Sequence, residues 1–110
     1  MPRLAPIPRR LLLGAALLGV ARPVRAAAAE IVIEGYAFHP EELHVTPGTE
    51  VTWRNQDDEP HSIVSSDTPR AFRSPLIDTG ETFSVRLEKP GRYGYYCTLH
   101  PHMTAQIVVA

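Results

Sequence analysis

Four side chains in the second half of the sequence have the types and the spacing of a metal site. Cys97, His100 and Met103 stand at positions i, i+3 and i+6 of one short segment, and His61 lies upstream, just after another predicted strand. Together they combine soft sulfur with imidazole nitrogen. Because Cys97 is the single cysteine of the 110-residue chain, no disulfide can form within the chain. The pattern predicts that this thiol binds a metal, against the alternative of a buried, inert cysteine.

This mixture of donors indicates which metal is bound. Structural zinc normally takes four cysteine or histidine ligands, whereas two histidines, one cysteine and a weakly bound methionine are typical of a blue-copper site. Such a site must suit both Cu(I), which prefers sulfur, and Cu(II), which prefers nitrogen. A fixed intermediate geometry then keeps the rearrangement small when an electron is transferred. We predict one mononuclear copper ion per chain, bound by His61, Cys97, His100 and Met103.

Short alternating runs predict the elements that position these residues. Each run is bounded by proline or glycine turns, and none has helical periodicity. The predicted strands are 31–33, 43–45, 51–53, 63–64, 83–87, 93–97 and 107–109. About seven short strands indicate an all-β fold, an antiparallel Greek-key β-sandwich or barrel. The stretch 65–76, which contains two prolines, is expected to be the longest irregular connection.

Residues 1–28 are predicted to be a cleavable export signal. Two adjacent arginines precede an apolar core, 11–21, that is too short to span a bilayer, and small residues follow it. Cleavage after Ala26 and cleavage after Ala28 both fit the pattern. The adjacent arginines are compatible with the twin-arginine route and with a plain Sec signal. Residues 29–110 would then be the mature domain, located in the periplasm without stable membrane insertion.

The charge distribution differs between these two parts of the chain. Five of the eleven basic residues lie before position 26, and none of the twelve acidic residues appears before Glu30. The mature domain is therefore acidic, which argues against nucleic acid as a partner. The acidic run 57–59 leads directly towards His61. Such a run most often lies in a solvated loop, and the alternative is that it steers a positively charged redox partner to the metal.

The sequence resembles the small blue-copper proteins, the cupredoxins, and most closely their amicyanin-like and plastocyanin-like members. The resemblance rests on the segments 38–43, 47–55, 60–62 and 90–103. The two-residue gap between His100 and Met103 looks like that of amicyanin.

This resemblance implies the roles of the four residues and a function. His61, Cys97 and His100 would be equatorial ligands and Met103 the long axial ligand. The edge of His100 would reach the surface, where redox partner proteins dock and electrons enter and leave. The implied function is that of a soluble, monomeric one-electron carrier, which is not an enzyme and has no catalytic residues. The alternative is a copper-binding carrier or sequestering module without redox turnover.

Other residues are expected to shape the surroundings of the site. Leu99, His102 and Ala105 depart from the amicyanin pattern. None of the three removes a ligand, but the first two change the apolar rim around His100.

Hydrogen bonds from Asn55, Ser62 and Thr98 are expected to pin the two ligand loops together. Trp53 is predicted to lie in the core. Tyr95 is predicted to share a strand face with Cys97.

Overall fold

The computed structural model describes residues 27–110, so the predicted export signal lies almost entirely outside the described residues. No helix that could cross a bilayer occurs between residues 27 and 110. Regular structure in this range consists of β1 (Ala28–Ile33), β2 (Phe38–His39), β3 (Glu42–Val45), β4 (Thr49–Asn55), β5 (Val64–Ser65), β6 (Thr82–Leu87), β7 (Gly91–Tyr96) and β8 (Thr104–Val109). Between β5 and β6 the chain has only isolated bridges, in line with the irregular connection predicted for 65–76.

The strands form two four-stranded sheets, which confirms the predicted all-β sandwich. One sheet has the order β2-β1-β4-β6 and the other has the order β3-β8-β7-β5. Each sheet contains one parallel pair, β1 with β4 and β3 with β8, while the remaining pairs are antiparallel. The sheets are therefore mixed rather than purely antiparallel. Alternation in the sequence shows which face of a strand is buried, but it carries no information on the direction of the neighbouring strand.

The core lies between the two sheets and follows from this alternation. Every second residue of β4 is buried, namely Thr49, Val51, Trp53 and Asn55. The Trp53 ring is fully buried, meets Tyr95 edge-on at 5.4 Å between centroids and lies 5.5 Å from Phe72. The predicted core position of Trp53 is confirmed.

Strands β7 and β8 present the loop that contains three of the candidate ligands. They pair antiparallel up to Tyr96 and Thr104, and the loop 97–103 lies between these two residues. Cys97 follows β7 directly and is buried, as is Tyr95 two residues before it. The predicted common face of these two residues is confirmed.

A different set of backbone bonds positions His61. Its N–H donates to the carbonyl of Ile77 at 3.1 Å, and the Ile77 N–H donates back at 2.8 Å. At the end of β4, the buried Asn55 amide donates to the carbonyls of Ile77 at 3.0 Å and Glu59 at 2.9 Å. These bonds fix the segment before His61 against β4.

Candidate metal centre

Three of the four predicted ligands converge on a common point. One donor atom from each of His61, Cys97 and His100 lies within 4.8 Å of the other two. The Sγ atom of Cys97 is 3.6 Å from Nδ1 of His61 and 3.8 Å from Nδ1 of His100. Both imidazoles therefore turn the same ring nitrogen towards the sulfur. This is the arrangement that a metal ion bound by all three side chains requires.

The three residues differ in their exposure. Cys97 is fully buried, and the His61 side chain is also inaccessible, whereas 22% of the His100 side chain remains exposed. A metal held here would be shielded from water on most sides. The ring of His100 is the one that reaches the surface.

Met103 lies next to this group in the loop. It is buried in the same core cluster as Cys97. Its backbone carbonyl accepts a hydrogen bond from the Cys97 N–H at 3.2 Å, and its own N–H donates to the His100 carbonyl at 2.8 Å. These two bonds fold the loop back on itself. The role of the Met103 thioether as a ligand stays a prediction.

Ser62 and Thr98 connect the two segments that carry the ligands. The Ser62 hydroxyl accepts the Thr98 N–H at 2.8 Å and shares a hydrogen bond of 2.7 Å with the Thr98 hydroxyl. The Ser62 N–H points at the Cys97 sulfur at 3.5 Å. The predicted pinning of the two loops is confirmed for Ser62 and Thr98. It is wrong for Asn55, whose side-chain amide donates to the carbonyls of Glu59 and Ile77 instead. The site is thus organised by bonds within the protein itself.

Replacing Ser62 with alanine is expected to lower the free energy of unfolding by about 1–3 kcal/mol, because the part-buried Thr98 N–H loses its acceptor. Urea denaturation of the metal-free protein measures this loss. Ser84→Ala is the matched control, since that exposed hydroxyl bonds only Thr52 across a solvent-facing strand pair, and its effect should stay within about 0.5 kcal/mol. Equal effects of the two substitutions would contradict the pinning role.

Asp57 contacts the ring of His61 on the side away from the sulfur. Its Oδ2 atom accepts a hydrogen bond from His61 Nε2 at 2.9 Å, and its carboxylate also accepts the backbone N–H groups of Gly35 at 2.7 Å and Tyr36 at 3.0 Å. Because an ionised carboxylate can only accept, the ring proton must lie on Nε2. Nδ1 of His61 is then left with a free lone pair for a metal.

The burial of Asp57 corrects one expectation from the sequence. Asp58 and Glu59 are exposed, as a solvated run predicts, but Asp57 is buried. Burial raises the pKa of the Asp57 carboxyl, but the backbone N–H groups and the His61 ring outweigh this effect and leave the pKa below its ordinary value. Carboxylates often orient metal-binding histidines, so the position of Asp57 four residues before His61 was a signal that could have been used.

Tyr36 is the second residue that the sequence did not reveal. Its ring meets His100 edge-on at 4.8 Å and His61 edge-on at 5.4 Å between centroids, and 40% of the residue is exposed. A hydrogen bond with the Glu59 carboxylate is the main cause that raises the pKa of the Tyr36 hydroxyl above its usual range. Tyr36 lies far from the ligands in sequence, and no spacing rule connects it to them.

The surface around His100 combines apolar and charged groups. Leu99 is exposed, and the exposed His102 ring stands edge-on to the His100 ring at 6.3 Å. The Glu59 carboxylate lies 3.9 Å from Nε2 of His100. Leu99 and His102 were predicted to alter the apolar surface around His100. Both side chains are exposed beside His100, as this prediction requires.

The donor set fits copper. A buried cysteine sulfur and two imidazole nitrogens offer soft and borderline donors that suit Cu(I) and Cu(II) in turn. A β-sandwich with such a group at one end, and with the cysteine directly after β7, is characteristic of the copper-binding proteins called cupredoxins.

Comparison with known proteins agrees with this class. Residues 26–110 match the family described as copper binding proteins, plastocyanin/azurin family, and the chain belongs to this family. It is 31% identical over 100 residues to amicyanin-alpha of Methylorubrum extorquens, which covers 88% of this chain and 84% of that protein. The cofactor of the family is copper, as the donor set predicts.

Solved structures show the same similarity. A purple cupredoxin from Nitrosopumilus maritimus is 34% identical, with a TM-score of 0.69 over 74% of this chain and 99% of that chain. A reduced mutant of amicyanin is 29% identical, with a TM-score of 0.72 over 79% of this chain and 86% of that chain.

Proposed function

We propose that this protein is a soluble, monomeric one-electron carrier whose copper ion is bound by His61, Cys97, His100 and Met103. The observation that carries the proposal is the convergence of three donor atoms within 4.8 Å of one another. Bound copper supplies the change between Cu(I) and Cu(II). The protein holds the donors in place during that change.

The hydrogen bonds around the donors support electron transfer. The Ser62–Thr98 bonds fix one ligand segment against the other, and Asp57 fixes the ring of His61. Donors held in this way cannot rearrange far when the oxidation state changes. The partly exposed ring of His100 supports docking of redox partner proteins on its face.

The burial of the site favours this function over the alternative of copper delivery or sequestration without redox turnover. A delivery protein must release its ion to a partner, and release is easiest from exposed, exchangeable ligands. Here two of the proposed ligands, His61 and Cys97, are fully buried. We assign no enzymatic activity, and the resemblance to amicyanins and plastocyanins supports this assignment.

Loading the purified protein with Cu(II) tests the proposal. We expect one copper per chain, an intense visible absorption band, a type 1 electron paramagnetic resonance spectrum and a reversible one-electron wave by voltammetry. Copper should also resist removal by a competing chelator. A colourless, rapidly exchanging copper complex without a reversible wave would instead support the delivery function.

Replacing Met103 with leucine should leave copper bound but raise the reduction potential. The axial bond is weak, so its softness matters little. Cu(I) accepts a lower coordination number than Cu(II), and the loss of a fourth donor therefore disfavours Cu(II) more. Voltammetry and copper analysis measure the two effects. Ile107→Leu, a substitution in the buried part of β8, controls for general repacking and should leave the potential unchanged. If Met103→Leu removed all copper, the axial role would be wrong.

The exposed acids Asp58 and Glu59 are proposed to steer positively charged redox partners towards His100. Oxidation of the Cu(I) protein by a cationic ruthenium ammine complex should therefore slow by about tenfold between low and physiological salt. The variant Glu59→Gln should flatten this dependence, whereas the exposed Glu50→Gln on β4 should not. A rate independent of ionic strength would refute the steering.

We also propose that the N-terminal residues direct export to the periplasm. The carbonyl of Ala27 accepts the Glu50 N–H at 2.9 Å, and Ala28 pairs with Glu50 in the sheet. Because Ala27 bonds to β4 and Ala28 is the first residue of β1, these contacts support cleavage after Ala26 rather than after Ala28. The mass of the protein recovered from the periplasm tests the position, and recovery of uncut protein from the cytoplasm would contradict export.

A further inference from the structure

The Asp57 carboxylate joins two parts of the chain that are far apart in sequence. One oxygen accepts the ring N–H of His61, and the same carboxylate accepts the adjacent backbone N–H groups of Gly35 and Tyr36. The side chain is only 10% exposed, so little water competes for these bonds. Three hydrogen bonds to one buried carboxylate hold the Asp57 side chain in a single position.

The turn that Asp57 holds is unusual in its backbone. Tyr36 has a φ of 58°, a left-handed conformation that few residues other than glycine adopt and that costs about 1 kcal/mol or more. The Glu34 N–H closes the turn on the Ala37 carbonyl at 3.0 Å. The two N–H groups that point at Asp57 compensate for this cost. The hydrogen bonds from Gly35 and Tyr36 to Asp57 hold the Tyr36 ring edge-on against the rings of His61 and His100.

We propose that Asp57 is a positioning residue of the copper centre, which sets the properties of the metal through the His61 ring and places Tyr36 over both histidines. This inference rests on the proposed ligand role of His61. A carboxylate behind a ligating imidazole fixes the tautomer and makes the ligand more basic. A more basic ligand stabilises Cu(II) more than Cu(I), so Asp57 lowers the reduction potential.

The contact of Asp57 with the Tyr36 backbone affects how easily solvent reaches the metal site. The Tyr36 ring lies edge-on against the two imidazoles and limits the entry of water and small anions beside His100. Asp57 thus fixes the orientation of His61, which is fully buried, and also holds the Tyr36 ring that covers the partly exposed His100.

The first test needs no copper. Proton–nitrogen NMR of the metal-free wild-type protein should show a slowly exchanging Nε2–H on His61. This signal should persist in Asp58→Asn and in Tyr36→Ala and should be lost in Asp57→Ala, which leaves no side-chain acceptor for the ring N–H. A wild-type His61 protonated on Nδ1 would overturn the inference without any substitution, even if the Asp57 variant failed to fold.

The second test compares copper affinities. In Asp57→Asn we expect the ratio of Cu(I) to Cu(II) affinity to rise by about tenfold, which corresponds to an upward shift of the potential by about 59 mV. Asp58→Asn removes the same charge from the next, exposed residue and should shift the potential much less. Asp57→Glu keeps the charge and should restore most of the wild-type value. Equal shifts in the two asparagine variants would overturn the role of Asp57.

The third test distinguishes the shielding role of Tyr36 from the effect of Asp57 on the His61 ring. Tyr36→Ala should speed the exchange of azide with the Cu(II) site while leaving the His61 Nε2–H signal in place. Unchanged azide exchange would overturn the role of Tyr36. A wild-type protein that fails to form a blue copper site would refute the proposed function instead, and the NMR experiment would still report on Asp57 and His61.

Discussion

Replacing Cys97 with serine is expected to abolish the intense visible absorption of the copper-loaded protein. The colour of such a site comes from charge transfer between the thiolate and Cu(II), and a serine oxygen has no comparable transition at visible energies. Cu(I) would also lose the proposed soft sulfur ligand, so we expect the affinity for Cu(I) to fall more than the affinity for Cu(II). Visible absorption and electron paramagnetic resonance after Cu(II) loading measure the result.

The fold should survive this substitution, because serine is close to cysteine in size and the Ser62 N–H lies within reach of position 97. Circular dichroism of the metal-free variant checks this point. Thr104→Ser, at the exposed start of β8, is a control that should keep the full absorption band. A strong band that persists without Cys97 would show that the thiolate is not a ligand.

The two histidines should respond differently to replacement by glycine. In His100→Gly the lost ring leaves a gap at the surface, since this side chain was partly exposed, so added imidazole should enter and restore the blue band. In His61→Gly the gap is enclosed and the Asp57 carboxylate loses its partner. We expect that variant to be destabilised by about 3 kcal/mol or more, because a fully buried ring is removed and a cavity is left, and to stay colourless with imidazole.

Titration of both variants with imidazole, followed by visible absorption and urea denaturation, measures these effects. His44→Gly is the control for loss of a histidine, because His44 is exposed on β3 and bonds only the Glu42 carboxylate. Its copper site should remain intact. Restoration of both ligand variants by imidazole, or of neither, would contradict the difference in burial between the two rings.

Much of the fold could be predicted because burial follows the alternation of side chains. The apolar runs of β1, β3, β4 and β6 to β8 were all identified, and Trp53 and Tyr95 lie in the core as expected. The two residues of β2, Phe38–His39, are too few to show any alternation. The parallel pairs could not be predicted either, since the direction of a neighbouring strand depends on the path of the chain between them.

The residues of the candidate site could be predicted where they lie close together in the sequence. Cys97, His100 and Met103 fall within one loop, so their spacing carries the signal, and Ser62 and Thr98 are direct neighbours of candidate ligands. Asp57 was treated as part of a charged run because its burial depends on the turn at Gly35. Tyr36 reaches the histidines only through that same turn. The Tyr36 contacts come from tertiary structure and leave no trace in spacing, whereas Asp57 lies four residues before His61 and only its burial was hidden from the sequence.

The pairing of Tyr96 with Thr104 determines where residues can be inserted into this hairpin during evolution or by mutagenesis. The paired part of the hairpin ends at these two residues, and the turn that carries three of the proposed ligands lies wholly beyond it. Residues could therefore be inserted between His100 and Met103 without shifting any inward side chain of β7 or β8 to the opposite face. The length of this turn can therefore differ between related proteins while the interior of the sandwich stays the same.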